Sequence, residues 1–243
     1  MTSVRRDHRP YWAKHAFERM EHHYTEHFLR PRLDQLGTGH RFMKPWNMRI
    51  HGPNISIGDQ VHIVTAGDRR VCLSVWEHKE HCGEIRIGDF ALLCPGVRLD
   101  SAASIRIGAS SMIAAGAYLT DADWHGLYDR TALIGSCRPI ELAENVWVGD
   151  GATLCKGVTV GENSIVAAGA VVSRDVPDNV VVAGNPAAIV KRLDTGVARV
   201  TRRQLFADPA GLAQLNENLD RWLLGANTTP GWLRAWFAPR PGD

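Results

Sequence analysis

His125 stands in the run Asp121-Ala122-Asp123-Trp124-His125-Gly126, an imidazole with two carboxylates and an indole close before it in the chain. A neutral imidazole can take the proton of a hydroxyl or amine as that group attacks an electrophile. The ordinary histidine pKa of about 6.5 leaves the side chain mostly neutral near pH 7. The carboxylates of Asp121 and Asp123 are placed to fix its tautomer, and Gly126 lets the backbone turn beside it. The chain has 11 histidines, so residue type alone does not single this one out. After it, Tyr128, Asp129 and Arg130 offer either a wall for a polar or anionic small molecule or a salt-bridged loop. His78, His81 and Cys82 give two imidazoles and one thiol without a fourth ligand, which falls short of a tetrahedral metal site. Cys94 and Cys155 lack a recognisable partner base and read as small buried hydrophobes rather than nucleophiles.

What positions these residues is a repeat of six. Leu142, Val148, Leu154, Val160, Val166 and Val172 follow one another at that step. The same step links Ile57 to Ile63, Ile87 to Leu93, Leu99 and Ile105, and Ile107 to Ile113 and Leu119. Glycine follows the aliphatic position at Gly58, Gly88, Gly108, Gly149 and Gly161, and a second glycine register runs through Gly96, Gly116, Gly151, Gly157 and Gly169. Six matches neither the 3.6 of a helix nor a heptad. As a multiple of two it suits short extended segments, each closed by a turn that returns an aliphatic side chain to the interior. Stacking such coils buries a continuous column and pairs each backbone with the coils above and below.

Two stretches break the step. Between Ile63 and Ile87 the expected positions are Arg69, Val75 and His81, mostly not aliphatic, which predicts an excursion or irregular coil. Between Leu119 and Leu142 there are 23 steps where six would do, so 17 residues are extra. Long loops on rigid scaffolds are often functional, and this one carries His125.

The flanks read as helical. Residues 10–36 carry Trp12, Ala16, Met20, Tyr24 and Phe28 at helical spacing, with Pro10 near the start and Gly37 after the end, which predicts a helix that packs on the end of the repeat. Residues 201–225 and 229–238 predict two more, with Trp222, Trp232 and Trp236 expected to pack on the parent fold or a neighbouring subunit. Of 243 residues, 44% are hydrophobic and 22% charged, and 28 Lys+Arg against 26 Asp+Glu leave a net charge of +2. That balance argues against a basic nucleic-acid arm. No apolar run reaches transmembrane length, and the amino terminus lacks the apolar core of a signal peptide. The five cysteines have no C-x-x-C pairing and read as reduced thiols. The expectation is a cytoplasmic protein with no membrane span and no nucleic-acid partner.

The run VWVGDGATLCKGVTVGENSIVAAGAVVSRDVPDNVVVAGNPAAIVKRL, residues 146–193, resembles the hexapeptide-repeat acyltransferases of the O-acetyltransferase kind. Its turn Gly184-Asn185-Pro186-Ala187 is similar to that family's usual exit from the repeat. The resemblance implies a mainly β fold, a left-handed parallel β-helix of triangular cross-section with N- and C-terminal α-helical flanks. On that basis 1–49 is an N-terminal helical flank, 50–193 the β-helix catalytic domain with a loop excursion at 120–139, and 194–243 a C-terminal helical extension. The resemblance also implies a homotrimer with active sites in the clefts between subunits.

The activity so implied is acetyl transfer from acetyl-CoA, as cosubstrate and with no metal, to a hydroxyl or amine of a small polar acceptor such as a sugar. His125 precedes Trp147-Val148-Gly149 by 22 residues, which is similar to the family's spacing between its catalytic histidine and a W-[IV]-G. The resemblance therefore implies His125 as general base for direct attack in a ternary complex, with backbone N–H groups stabilising the oxyanion. Asp121, Asp123, Trp124, Tyr128, Asp129 and Arg130 would then lie on the acceptor side. Carried over residue by residue, Asp150 and Ala168 match backbone positions along the pantetheine arm. Ser173 and Arg174 stand where the family has Thr-Lys near the adenosine, and Trp147 borders the reacting groups. Lys191 and Arg192 are either phosphate contacts or surface charges at the exit. One departure is that Leu93-Cys94-Pro95 lies where sugar acetyltransferases carry an acceptor-holding asparagine, which argues against a galactoside- or maltose-type acceptor. Two other functions suit the same fold. A gamma-type carbonic anhydrase needs three converging histidines, of which only His125 lies in the right stretch. A non-catalytic scaffold needs neither the loop nor the base.

Overall fold

The aliphatic positions of the repeat fall into three columns, one behind each face of a triangular coil. In the computed structural model, which describes residues 7–78 and 81–240, Ile57, Ile87, Ile107, Leu142 and Val160 stack in register behind the first face. Ile63, Leu93, Ile113, Val148 and Val166 stack behind the second. Leu73, Leu99, Leu119, Leu154 and Val172 stack behind the third. All fifteen are at most 3% exposed. A buried aliphatic side chain is worth about 1.5–3 kcal/mol, so the columns rather than the short strands hold the stack together. Residues 79 and 80 and the side chains of His78 and His81 lie outside the described residues, and with them the metal reading of His78, His81 and Cys82.

The faces are sheets of six, eight and six strands. All pairings in them are parallel except the last, where Ala188–Arg192 runs antiparallel to Val180–Ala183. Six coils pass in turn through the three faces. Their third-face strands are Met48–His51, Val71–Val75, Arg98–Ser101, Tyr118–Thr120, Thr153–Leu154 and Val171–Val172. This is the parallel β-helix with helical flanks that the repeat and the resemblance implied.

Coil one begins at Gln35–Leu36, well before residue 50. The step of six continues through Leu36, Phe42 and Met48, all buried, but two of the three are not Val, Ile or Leu, and this hid them from the aliphatic pattern. In coil two, Leu73 rather than Arg69 enters the column, because a four-residue turn at Ala66–Arg69 lengthens the corner. The excursion expected before Ile87 is a small hairpin, Glu77–His78 against His81–Cys82.

The corners have distinct chemistry. Between the first and second faces, Asn145, Asn163 and Asn179 adopt positive φ and form a side-chain ladder. Arg199 caps it at 3.0 Å on Asn179. Between the second and third faces, Gly96, Gly116, Gly151 and Gly169 take φ of +84°, +69°, +63° and +68°. A Cβ added at Gly151 or Gly169 would meet nothing within 4 Å, so the left-handed turn is what demands glycine there and the backbone is left bare.

Residues 24–204 form one compact unit, with residues 79 and 80 left aside, and residues 7–23 with 205–240 another. The second holds helices Tyr11–Tyr24, Pro209–Leu224 and Thr229–Phe237. Asp208 and Thr228 cap the last two by accepting from Gly211 N and Gly231 N. The first helix is shorter than the spacing over 10–36 predicts: Thr25–Leu29 and Arg30–Arg32 relax into π and 3-10 turns, and Pro31 cannot continue an α-helix. Trp232 meets Trp12 and Trp236 edge-on at 6.2 and 6.0 Å. Trp222 and Trp236 are 79% and 72% exposed, so of the two places expected for them, the parent fold or a neighbouring subunit, this chain does not supply the first.

Candidate active site

The loop 121–139 leaves the corner between the third and first faces, after Tyr118–Thr120 and before Ile140–Leu142. Backbone hydrogen bonds close its neck: Arg138 N donates to Asp121 O at 2.9 Å, Asp123 N to Ser136 O at 2.9 Å and Gly135 N to Asp123 O at 2.7 Å. A Cβ on Gly135 would lie 2.5 Å from the His125 carbonyl oxygen, so this crossing requires glycine.

Asp121 is buried beneath the neck. It accepts from Ser101 Oγ at 2.6 Å, Ala102 N at 2.7 Å and Ala103 N at 3.0 Å, all on the corner of coil three. Burial pushes its carboxyl above the ordinary value, against the pull of those hydrogen bonds. Asp123 pairs with Lys156, on the corner of coil five. Neither carboxylate holds the His125 ring, which corrects the expectation that one of them fixes its tautomer. The ring Nδ1 lies 3.3 Å from the carbonyl oxygen of Ala132. A carbonyl can only accept, so this contact places the proton on Nδ1 and leaves the Nε2 lone pair available on an exposed side chain.

The rest of the expected acceptor side is used by the loop itself. Asp129 accepts from Thr131 N at 2.9 Å and Thr131 Oγ1 at 2.6 Å, which holds its carboxyl below the ordinary value. Arg130 Nη1 donates to Gly126 O at 2.9 Å. Tyr128 is fully exposed. The loop is thus internally structured, by hydrogen bonds rather than by an Asp129–Arg130 salt bridge. Trp124 donates from Nε1 to Thr120 Oγ1 at 3.0 Å and meets Trp76 edge-on at 6.1 Å. Lys156, Ser101 and the Ala132 carbonyl were not singled out in the sequence. Each is an ordinary turn or loop residue there and gains a role only through long-range contact.

The residues expected on the donor side divide between places. Trp147 is 46% exposed on the second face, between Met112 and Ile165. Asp150 and Ala168 follow at the glycine corner, where Gly169 N donates to Asp150 O at 2.8 Å and Gly151 N to Ala115 O at 2.9 Å. Ser173 and Arg174 are exposed at the opposite end of the third face, the corner that also bears Lys156 and the loop. Lys191 and Arg192 are exposed on the final antiparallel strand. From Gly116 to Asp121 the chain runs nearly extended for about 17 Å at strand rise. Within one chain the width of the third face therefore separates the glycine corner from the root of the His125 loop. Three converging histidines, which a gamma-type carbonic anhydrase centre needs, are not found around His125 among the described residues.

Residues 139–174 match the family model described as bacterial transferase hexapeptide (six repeats). These residues are thus a hexapeptide repeat. Over 56 residues the chain is 41% identical to the galactoside O-acetyltransferase of Escherichia coli, a stretch that covers 23% of this chain and 28% of that one. The alignment thus spans less than a third of that curated relative. Among solved structures, the maltose O-acetyltransferase from Clostridium difficile is similar with a TM-score of 0.51 and 22% identity, covering 75% of this chain and 86% of that one. The N-acyltransferase AntD from Bacillus cereus is similar with a TM-score of 0.54 and 17% identity, covering 79% and 96%. At these identities the likeness is one of fold, the left-handed hexapeptide β-helix. No helix among the described residues is long and apolar enough to cross a membrane.

Proposed function

We propose that this hexapeptide-repeat protein is an acyltransferase that moves an acetyl group from acetyl-CoA to a hydroxyl or amine of a small polar acceptor. The observation that carries the reading is the exposed His125 ring, tethered at Nδ1 by the Ala132 carbonyl on a loop held at its root by Asp121 and Asp123 and closed at its neck by Arg138 N on Asp121 O. The similarity to galactoside and maltose O-acetyltransferases and to an N-acyltransferase supports the class of reaction.

In this mechanism Nε2 of His125 takes the acceptor's proton as its oxygen or nitrogen attacks the acetyl carbonyl carbon. The tetrahedral intermediate collapses with cleavage of the C–S bond. The proton on the imidazolium then passes to the departing thiolate, giving coenzyme A and the acetylated acceptor. The bare turns at Gly151 and Gly169, with Asp150 and Ala168, suit the close passage of a pantetheine arm, and Trp147 borders the acetyl end. Ser173 and Arg174, with Lys191 and Arg192, would meet the nucleotide. Because the glycine corner and the loop lie at opposite ends of the third face, the site is completed by a second copy of the chain, as in a homotrimer with one cleft per pair of subunits. Asp121 and Asp123 act here by holding the loop, and Trp124 by setting its angle.

The test is thiol release from acetyl-CoA across a panel of sugars, aminosugars and alcohols, with wild type and His125→Gln. Loss of acceptor-dependent release by about 10²–10⁴-fold in the variant, with coenzyme A binding retained, is the expected result. Unchanged release would remove His125 from the mechanism, and absence of coenzyme A binding to the wild type would overturn the proposed function.

A further inference from the structure

We propose that a shallow pocket at the glycine corner, walled by Arg69, Arg70 and Arg98, binds a phosphate or carboxylate group of the acceptor, so that the substrate is an anionic small molecule. The proposal rests on the transferase reading for there being an acceptor at all. The pocket has a volume of about 500 Å³ and its lining includes Asp68, Gly96 and Gly116.

Its arginines are presented on a built turn. Ala66 and Arg69 exchange backbone hydrogen bonds, 3.2 Å in each direction, closing the turn that lengthens coil two. Arg69 and Arg70 are exposed, and among the described residues their guanidinium groups make no hydrogen bond or ion pair. Arg98 is held on the third face, paired with the buried carboxylate of Asp100 and lying 4.6 Å over the ring of Tyr118. The lining therefore sets three guanidiniums against the single carboxylate of Asp68, with Asp100 answering only Arg98. Planar guanidinium forks suit the paired oxygens of a phosphate or carboxylate.

The pocket is continuous with the proposed donor track. A Cβ on Gly96 would lie 3.6 Å from the Arg69 Cβ. From Gly96 a ladder of turns runs without a break: Gly116 N donates to Pro95 O at 3.0 Å, Gly151 N to Ala115 O and Gly169 N to Asp150 O. The phosphates of coenzyme A are the other source of such an anion. The cations proposed for them, on coil six and the strand after it, lie four coil spacings from coil two, about 19 Å at the interval between paired strands. The arginine pocket thus lies toward the far end of the track, where an acceptor would enter. The Tyr128-Asp129-Arg130 run, the sequence candidate for anion recognition, has its two charged groups occupied within the loop.

Calorimetry with D-glucosamine 6-phosphate, D-glucosamine and coenzyme A as probes, on wild type and Arg69→Gln/Arg70→Gln, tests the proposal. In the wild type the phosphorylated sugar should bind at least tenfold more tightly than the neutral one. In the double variant that difference should vanish while coenzyme A affinity stays within twofold. Equal binding of the two sugars, binding of neither, or a difference that survives in the variant would overturn the proposal. So would a tenfold loss of coenzyme A affinity, which would assign the arginines to the donor's phosphates. Failure of coenzyme A to bind the wild type would instead overturn the transferase reading and leave the anion site standing on the sugar result. Circular dichroism of the variant guards against a folding defect, and if it is misfolded the Arg70→Gln single variant gives the same readout.

Discussion

Replacing Asp121 by alanine should loosen the His125 loop and destabilise the protein by about 2–6 kcal/mol. The carboxylate takes three hydrogen bonds in a buried site, from Ser101 Oγ, Ala102 N and Ala103 N. Ser101 can turn its hydroxyl elsewhere, since Oγ also lies 2.9 Å from Glu84 O. The two main-chain donors cannot move without opening the corner of coil three, and a buried donor left unsatisfied costs about 1–3 kcal/mol. Two of them give the range, and water entering the space left by the carboxylate would move the value toward its lower end. Asp121→Asn keeps one accepting oxygen and should lose about half as much. The pH dependence separates this reasoning from a simple packing defect. Burial raises the folded pKa above the ordinary aspartate value. The proton is then held more tightly in the folded state, so stability linked to this group is full below the unfolded pKa and is lost as pH rises through the higher folded one. Urea unfolding at pH 4 and pH 7, with hydrogen exchange at Ala102 and Ala103, measures both effects. A cost below about 1 kcal/mol for Asp121→Ala, or an Asn variant with the same pH slope as wild type, would refute the account.

Four other outcomes follow from the same structure. His62, half-buried near Arg202 and Arg41, has its pKa lowered from 6.5 to about 4, chiefly by burial. Stability should be full above pH 6.5 and decline toward pH 4, by about 3 kcal/mol before solvent screening and on the order of 1–2 after it, and His62→Gln should flatten that decline in urea midpoints. Lys156→Met removes the partner of Asp123 and should change stability by about 1 kcal/mol or less while lowering transfer by much more, read as kcat against Tm. Leu119→Ala empties a fully buried place in the third column and should cost about 2–5 kcal/mol in chemical denaturation. Gly151→Val forces a branched side chain onto a φ of +63° and should reduce coenzyme A binding in calorimetry as well as Tm.

The repeat was legible because each face of each coil hides one aliphatic side chain, and that requirement writes itself into the chain at a fixed interval. It failed where physics allows substitutes: Phe42 and Met48 fill coil one as well as isoleucine would, and in coil two the longer turn at Ala66–Arg69 moves the inward position from Arg69 to Leu73. The position of the His125 loop was legible as a gap in the rhythm. Its interior was not, because its anchors are long-range. Asp121 reaches Ser101 across 20 residues and Asp123 reaches Lys156 across 33, and neither pairing has a periodic signature. Carboxylates beside a histidine in sequence looked like its partners, yet in the folded loop they face opposite coils.

Because consecutive coils are locked in register by paired backbones, the stack behaves as a ruler with graduations of about 4.8 Å. The guanidinium pocket begins at coil two, the loop with His125 departs after coil four, and the bare turns lie on coils five and six. The span between an acceptor's charged end and its reacting atom is then a whole number of graduations. Inserting one regular coil of 18 residues between coils three and four would lengthen that span by one graduation, provided the new coil repeats the Ser101–Ala103 corner that Asp121 holds. A relative with such an insertion would be expected to take an acceptor longer by about three or four bonds. Molecular length would then be selected by counting coils rather than by shaping a pocket.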